Sequence, residues 1–175
     1  MDGETTYPNG IIGPTTPSDA PIRFTRTVIL PAAPETVFGV VSGQAHLCEL
    51  VPGLQQVHMD LDRAGGVEGV GMVRSCDFGN DMWIRETVVL WQPPHAFAYS
   101  IAAPNPFGLI DHLATVTCQP VQAATRLTWQ QHYHHADLNA MNVLMASLMD
   151  GLVVNLNRRF QISSHKEKSN DKANP

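Results

Sequence analysis

Residues 137–160 read DLNAMNVLMASLMDGLVVNLNRRF. Leu138, Met141, Met145, Leu148, Leu152 and Leu156 recur there at three- and four-residue spacing, which puts them on one face of an α-helix. Asp137 stands where an N-cap belongs, and Arg158 and Arg159 suit the negative C-terminal end. At about 1.5 Å per residue the helix would be roughly 35 Å long, enough to cross a whole sheet.

The chain before it supplies strands. Ile22–Leu30 is rich in β-branched residues and predicts the first. Pro34 suits the first turn of a helix, Glu35 its positive end, and Val37, Phe38, Val40 and Val41 its apolar side. A second short helix is expected over Ala45–Val51, stopped by Pro52-Gly53. Six strand-like segments follow, separated by turn signals: Leu54–Asp62, Val70–Phe78, Met82–Trp91, Ala96–Ile101, Ile110–Cys118 and Thr125–Tyr133. Residues 1–21, with Pro8, Gly10, Gly13, Pro14, Pro17 and Pro21, read as a flexible arm. Residues 163–175 are polar and read as a disordered tail, leaving one domain over 22–162.

Bulk properties exclude several classes. The formal charge is −5 with 11 Lys and Arg, and no basic stripe marks a nucleic-acid surface. No unbroken run of about 18 apolar residues exists, so no membrane span is expected, and the polar N-terminus lacks the pattern of a signal peptide. Cys48, Cys76 and Cys118 are odd in number and far apart. They argue against a disulfide framework and for a reducing cytoplasm. His132 and His134 share a strand face, but a third metal ligand is lacking. No phosphate-cradling glycine loop is present. No cofactor is therefore expected.

The element order is strand, two short helices, six strands, long helix. With it come Leu30-Pro-Ala-Ala-Pro-Glu-Thr-Val-Phe38, Gly69-Val-Gly-Met-Val-Arg74, Arg85-Glu-Thr-Val88, Gln92-Pro-Pro-His-Ala-Phe-Ala-Tyr99 and Ala124-Thr-Arg-Leu-Thr-Trp129. Together these resemble the START-like (SRPBCC, helix-grip) superfamily, in particular its polyketide cyclase/dehydratase-like branch, over roughly residues 22–160. The resemblance implies an α+β fold in which a seven-stranded curved antiparallel sheet wraps around the long helix. It also implies a hydrophobic small molecule between them. The superfamily holds cyclases, lipid carriers, receptors and oxygenase domains, so fold analogy does not choose among them.

Strand alternation nominates the residues that face such a cavity. Leu127, Trp129, Gln131 and Tyr133 form the more apolar set of the last strand. Met82, Ile84, Glu86, Val88 and Leu90 do so on the fourth, leaving Trp83 and Trp91 outward. Val57, Met59 and Leu61 are selected on the second strand, and Phe97, Tyr99 and Ile101 on the fifth. A two-residue turn at Gly79-Asn80 would pair Val73 with Glu86, Ser75 with Ile84 and Asp77 with Met82. Pairing Cys118 with Thr125 would set His112 opposite Gln131, facing inward. Glu86, Tyr99, His112 and Gln131 could then form a row across neighbouring strands.

Such a row suits acid–base chemistry on a carbonyl compound. His112 would move a proton, Tyr99 or Tyr133 would hold a carbonyl or enolate oxygen, and Glu86 would orient the histidine or serve as a second base. Met59, Asp77, Ile84, Phe97, Phe107, Trp129, Gln131, Met141, Met145 and Leu148 would shape the ligand site. Phe107 sits at the tip of the loop Ala103-Pro-Asn-Pro-Phe-Gly108, a candidate lid. Three functions follow: a cyclase or dehydratase-like enzyme, a non-catalytic carrier or sensor of a lipid-like ligand, and a protein-interaction domain. A homodimer is left open.

Overall fold

In the computed structural model, residues 4–7, 11–14 and 18–170 are described, with side chains from 18 to 161. Strands β1 (Glu4–Tyr7) and β2 (Ile11–Pro14) pair with each other within the expected arm. Strand β3 (Ile22–Leu30) leads into helices α1 (Pro34–Ser42) and α2 (Gln44–Leu50). Six strands follow: β4 (Gln56–Asp60), β5 (Val73–Asp77), β6 (Trp83–Gln92), β7 (Ala96–Ile101), β8 (Ile110–Val121) and β9 (Ala124–His134). Helix α3 (Leu138–Asn170) closes the chain and runs into the expected tail, whose residues 171–175 lie outside those described.

β3 to β9 make one antiparallel sheet in the order β3-β9-β8-β7-β6-β5-β4. The sheet is open and curved, and α3 packs on it. Asp137 caps α3 by accepting from the Ala140 N–H at 3.0 Å, and Arg26 of β3 donates to Asp150 of the helix at 2.6 Å. Met141, Met145, Met149, Leu152, Leu156 and Phe160 are buried as the apolar face. Over 24 residues, Leu138–Gln161 is also long and apolar enough to cross a membrane by length and composition, despite lacking an unbroken apolar run. Here its apolar stripe serves the core.

Three details of register correct the sequence reading, and each has a local cause. Between β5 and β6 the connection is Gly79-Asn80-Asp81, three residues with positive φ, closed by Phe78 N–H to Met82 O at 2.9 Å. Gly79 takes φ 77° without a Cβ penalty, and Asn and Asp tolerate this region better than other side chains. The extra residue shifts the pairing by one, so Arg74 opposes Glu86 and Cys76 opposes Ile84. A one-residue slip exchanges the faces of a strand. Arg74 and Cys76 therefore turn inward, in place of Val73, Ser75 and Asp77. Between β8 and β9 the turn is Gln122-Ala123, and Cys118 opposes Leu127 instead of Thr125. That slip is two residues, so the faces survive it.

The third correction is a bulge between Val88 and Leu90. It reverses the alternation beyond Val88. Leu90, expected inward, joins Ala96, Ala98 and Leu113 in a small cluster separate from the main core. Trp91, expected outward, packs edge-on against Phe38 with ring centroids 5.1 Å apart. Trp83 is exposed, as the alternation requires.

Candidate functional site

Between the inner sheet face and α3 lies a cavity open to solvent at its mouth, about 540 Å³ with that open space included. From the sheet come Ile84, Glu86, Tyr99, Ile101, His112, Trp129 and Gln131. The helix contributes Met145, Leu148, Met149 and Leu152. Phe78, Phe107, Leu109 and Val51 complete the lining. An apolar chamber with a few convergent polar groups is the usual form of a small-molecule site.

Register explains the convergence. Tyr99, Ala114 and Gln131 are cross-strand partners on β7, β8 and β9. The small Ala114 side chain between them leaves the floor open. Glu86 lies one tier away, opposite both Arg74 and Ile101. His112 shares the inward parity of Ala114, Val116 and Cys118 and lies beside Tyr99, ring centroids 6.0 Å apart. The bulge beyond it, between Ile110 and Leu113 with Asp111 at φ 50°, leaves Ile110 exposed.

Each polar group has a defined state. Gln131 Nε2 donates to Met149 Sδ at 3.8 Å, leaving its Oε1 to accept from His112 Nε2–H at 2.8 Å. His112 Nδ1 is then an unprotonated acceptor with no partner of its own. Burial holds the imidazole down to about pKa 4, against the bond to Gln131, so it is neutral near pH 7. Burial raises the Tyr99 hydroxyl well above its ordinary range, and the nearby Glu86 adds to the effect. Tyr99 therefore keeps its proton. Glu86 receives Arg74 Nη2–H at 2.7 Å. Burial pushes the Glu86 carboxyl above the usual range, and Arg74 opposes this only in part.

The expected ligand residues divide. Ile84, Phe107, Trp129, Gln131, Met145 and Leu148 line the cavity. Phe97 is buried beside it, stacked on Tyr99 at 6.2 Å and edge-on to Trp129 at 6.3 Å. Met141 is buried in the core and Met59 packs partly buried against it, and neither lines the cavity. Asp77 accepts the Gly79 N–H at 2.7 Å and braces the turn. Tyr133 is buried with its hydroxyl donating to Asn142 Oδ1 at 2.8 Å, away from the cavity lining. Glu86 answers to Arg74 and not to His112. Arg74 faces inward only because the turn holds three residues; its sequence signal is a lone arginine in an apolar strand. Among the described residues no group of three or more His, Cys, Asp or Glu could hold a metal ion.

Two aromatic rings of the lining touch each other. Phe78 and Phe107 meet edge-on at 5.8 Å. The loop carrying Phe107 is braced by Asn105, which donates to the Leu109 carbonyl at 2.8 Å and accepts the Leu109 N–H at 3.1 Å.

A curved sheet gripping a long helix around such a chamber defines a helix-grip domain. Residues 21–161 match the family model "Polyketide cyclase / dehydrase and lipid transport", and the chain belongs to that family. No curated protein sequence matches it significantly. Similar solved structures include the protein XoxI from Bacillus cereus, with TM-score 0.65 and 17% identity over 79% of this chain and 94% of that one. The di-domain ARO/CYC StfQ of the steffimycin biosynthetic pathway gives 0.65 and 11% over 81% of this chain and 51% of that one. A norcoclaurine synthase from Thalictrum flavum gives 0.60 and 13% over 86% and 99%. At these identities the likeness is one of fold.

Proposed function

We propose that the protein encloses a hydrophobic carbonyl compound in this cavity and converts it by acid–base chemistry, as a cofactor-free cyclase or dehydratase of the polyketide type. The observation that carries the reading is the set Glu86, Tyr99, His112 and Gln131, gathered on otherwise apolar walls. Tyr99, protonated throughout the working pH range, donates to the substrate oxygen as enolate charge develops there. Glu86, its basicity raised by burial, takes the proton from the carbon acid. The neutral His112 offers Nδ1 to a substrate hydroxyl, with Gln131 fixing its tautomer. Tyr133 has no part in this scheme. The protein would work in secondary metabolism, in a reducing cytoplasm that keeps its cysteines as free thiols.

A carrier or sensor is the second reading, and one observation favours it: His112 is held too acidic to be a strong base, and Glu86 is tied to Arg74. Turnover separates the two. An aryl triketone that closes to a phenylresorcinol with loss of one water can be followed by absorbance. The enzyme reading expects catalysis above buffer, lowered roughly 10²–10⁴-fold in Glu86→Gln and in Tyr99→Phe. Binding without turnover, for this and related poly-ketones, would move the assignment to the carrier.

A further inference from the structure

Beside the main cavity lies a smaller one, about 280 Å³ with its open space included, bordered by Arg74 and Cys76 and sharing Val51, Phe78, Glu86, Tyr99 and Trp129 with it. Arg74 is 2% exposed. Only its Nη2 is bonded, to Glu86. Nε and Nη1 are buried donors without a hydrogen-bond partner. The guanidinium carbon lies 4.6 Å from the Tyr99 ring centroid and 5.6 Å from that of Phe97. These rings attract the cation, and neither gives Nε or Nη1 a hydrogen-bond acceptor. Buried donors left without an acceptor are unfavourable and uncommon in native proteins. A ligand that brings an acceptor here is therefore selected over one that does not.

The charge of that acceptor is also determined. Glu86 already compensates Arg74 within the same wall, so the pair presents free N–H groups with no net positive charge. A carboxylate reaching Arg74 would lie close to the Glu86 carboxylate and would bury a second negative charge. An uncharged carbonyl oxygen meets the same donors without that repulsion. We infer that the Arg74–Glu86 pair makes the smaller cavity a subsite for an uncharged oxygen acceptor, a ketone or an amide carbonyl, and turns away carboxylates of the same shape. This rests on the main cavity taking a hydrophobic ligand, and it says where the carbonyl end of that ligand goes.

Ethylbenzene, acetophenone and benzoate are nearly isosteric and differ in this one group. Titration at pH 7.5, read at the Trp129 indole N–H by NMR, ranks their affinities. Hydrogen bonds to a charged donor predict acetophenone at least about tenfold tighter than ethylbenzene, equivalent to about 1.4 kcal/mol. Benzoate should bind no better than ethylbenzene. In Arg74→Met/Glu86→Leu, which leaves no unpaired buried charge, the acetophenone preference should vanish while ethylbenzene still binds. Should that variant not fold, the carbonyl stretch of acetophenone bound to Tyr99→Phe, which lacks the hydroxyl donor but keeps Arg74, gives the same answer. It should move to lower frequency than in hexane, and an unshifted band overturns the inference. Tightest binding by benzoate, or a carbonyl preference that survives the double substitution, also overturns it. Equal binding of ethylbenzene and acetophenone overturns the subsite but leaves the hydrophobic cavity standing. Failure of all three to bind overturns both.

Discussion

Replacing Arg74 alone should be among the most destabilising single changes in this domain. Its side chain is 2% exposed and that of Glu86 16%, so water screens the pair little. Arg74→Met leaves a carboxylate in a protein wall without its cation. Breaking a buried pair in this way costs about 3–5 kcal/mol, a large share of the 5–15 kcal/mol typical of a domain. Glu86→Leu should cost a similar amount by stranding the guanidinium. Arg74→Met/Glu86→Leu removes both charges, and such exchanges are often neutral or stabilising. It should therefore be more stable than either single variant. Urea unfolding of the four proteins at pH 7 yields the coupling energy directly. The pH dependence carries a sign as well. Burial raises the Glu86 pKa in the folded state, so its favourable contribution is complete below the unfolded carboxyl pKa and is lost as pH rises through the folded value. In Arg74→Met, with the opposing guanidinium gone, that loss should extend to higher pH. Single substitutions costing less than about 1 kcal/mol each, with additive effects in the double variant, would refute the reasoning about a buried, coupled pair.

Other consequences can be checked separately. The His112 imidazole, with a folded pKa of about 4 against an ordinary 6.5, should remain neutral by NMR titration well below pH 6. Because its folded pKa is depressed, stability should be full above the unfolded value and fall by about 3 kcal/mol as pH drops from 6.5 to 4. That loss should be absent in His112→Gln. A Cβ at Gly151 would lie 2.5 Å from Pro52 Cγ, where α3 crosses the segment after α2. Gly151→Ala should therefore destabilise by about 1–3 kcal/mol in thermal or urea unfolding, the usual range for overpacking, despite alanine's better helix propensity. Cys48 is exposed, whereas Cys76 and Cys118 are buried with their thiols pushed up by burial, Cys118 to about 12. A disulfide reagent should therefore modify one thiol quickly in the native protein and all three only after unfolding.

Much of the fold was legible because its signals are periodic. The three- and four-residue spacing from Leu138 to Leu156 announced the helix, Asp137 its start, and Ile22–Leu30 the strand at the sheet edge. Side-chain facing was less secure, because it depends on counting residues through turns and bulges. The slip at Gln122-Ala123 was even, so His112 and Gln131 stayed on the inner face and in contact. The slip at Gly79-Asn80-Asp81 was odd, and it concealed Arg74, the one charged group that sets the state of Glu86. Nothing local distinguishes that three-residue turn from the two-residue one that Gly-Asn suggests. The bulge at Val89 was foreshadowed only by Trp91, a large apolar ring that strict alternation would have left in water. Tyr133 shows a further limit. Strand parity places it on the inner face, where it is buried, but the Asn142 amide takes its hydroxyl and keeps it from the cavity.

The central claim is that a hydrophobic molecule occupies the chamber between the sheet and α3. The methyl groups of Met145 and Met149 lie in that wall, whereas Met59 and Met141 do not. Titration of acetophenone into methyl-labelled protein, followed in methionine methyl spectra, tests the claim most directly. Saturable shifts at Met145 and Met149, with Met59 unmoved, are the predicted result. Shifts confined to methionines outside the cavity, or no saturable shift at any methionine, would contradict it.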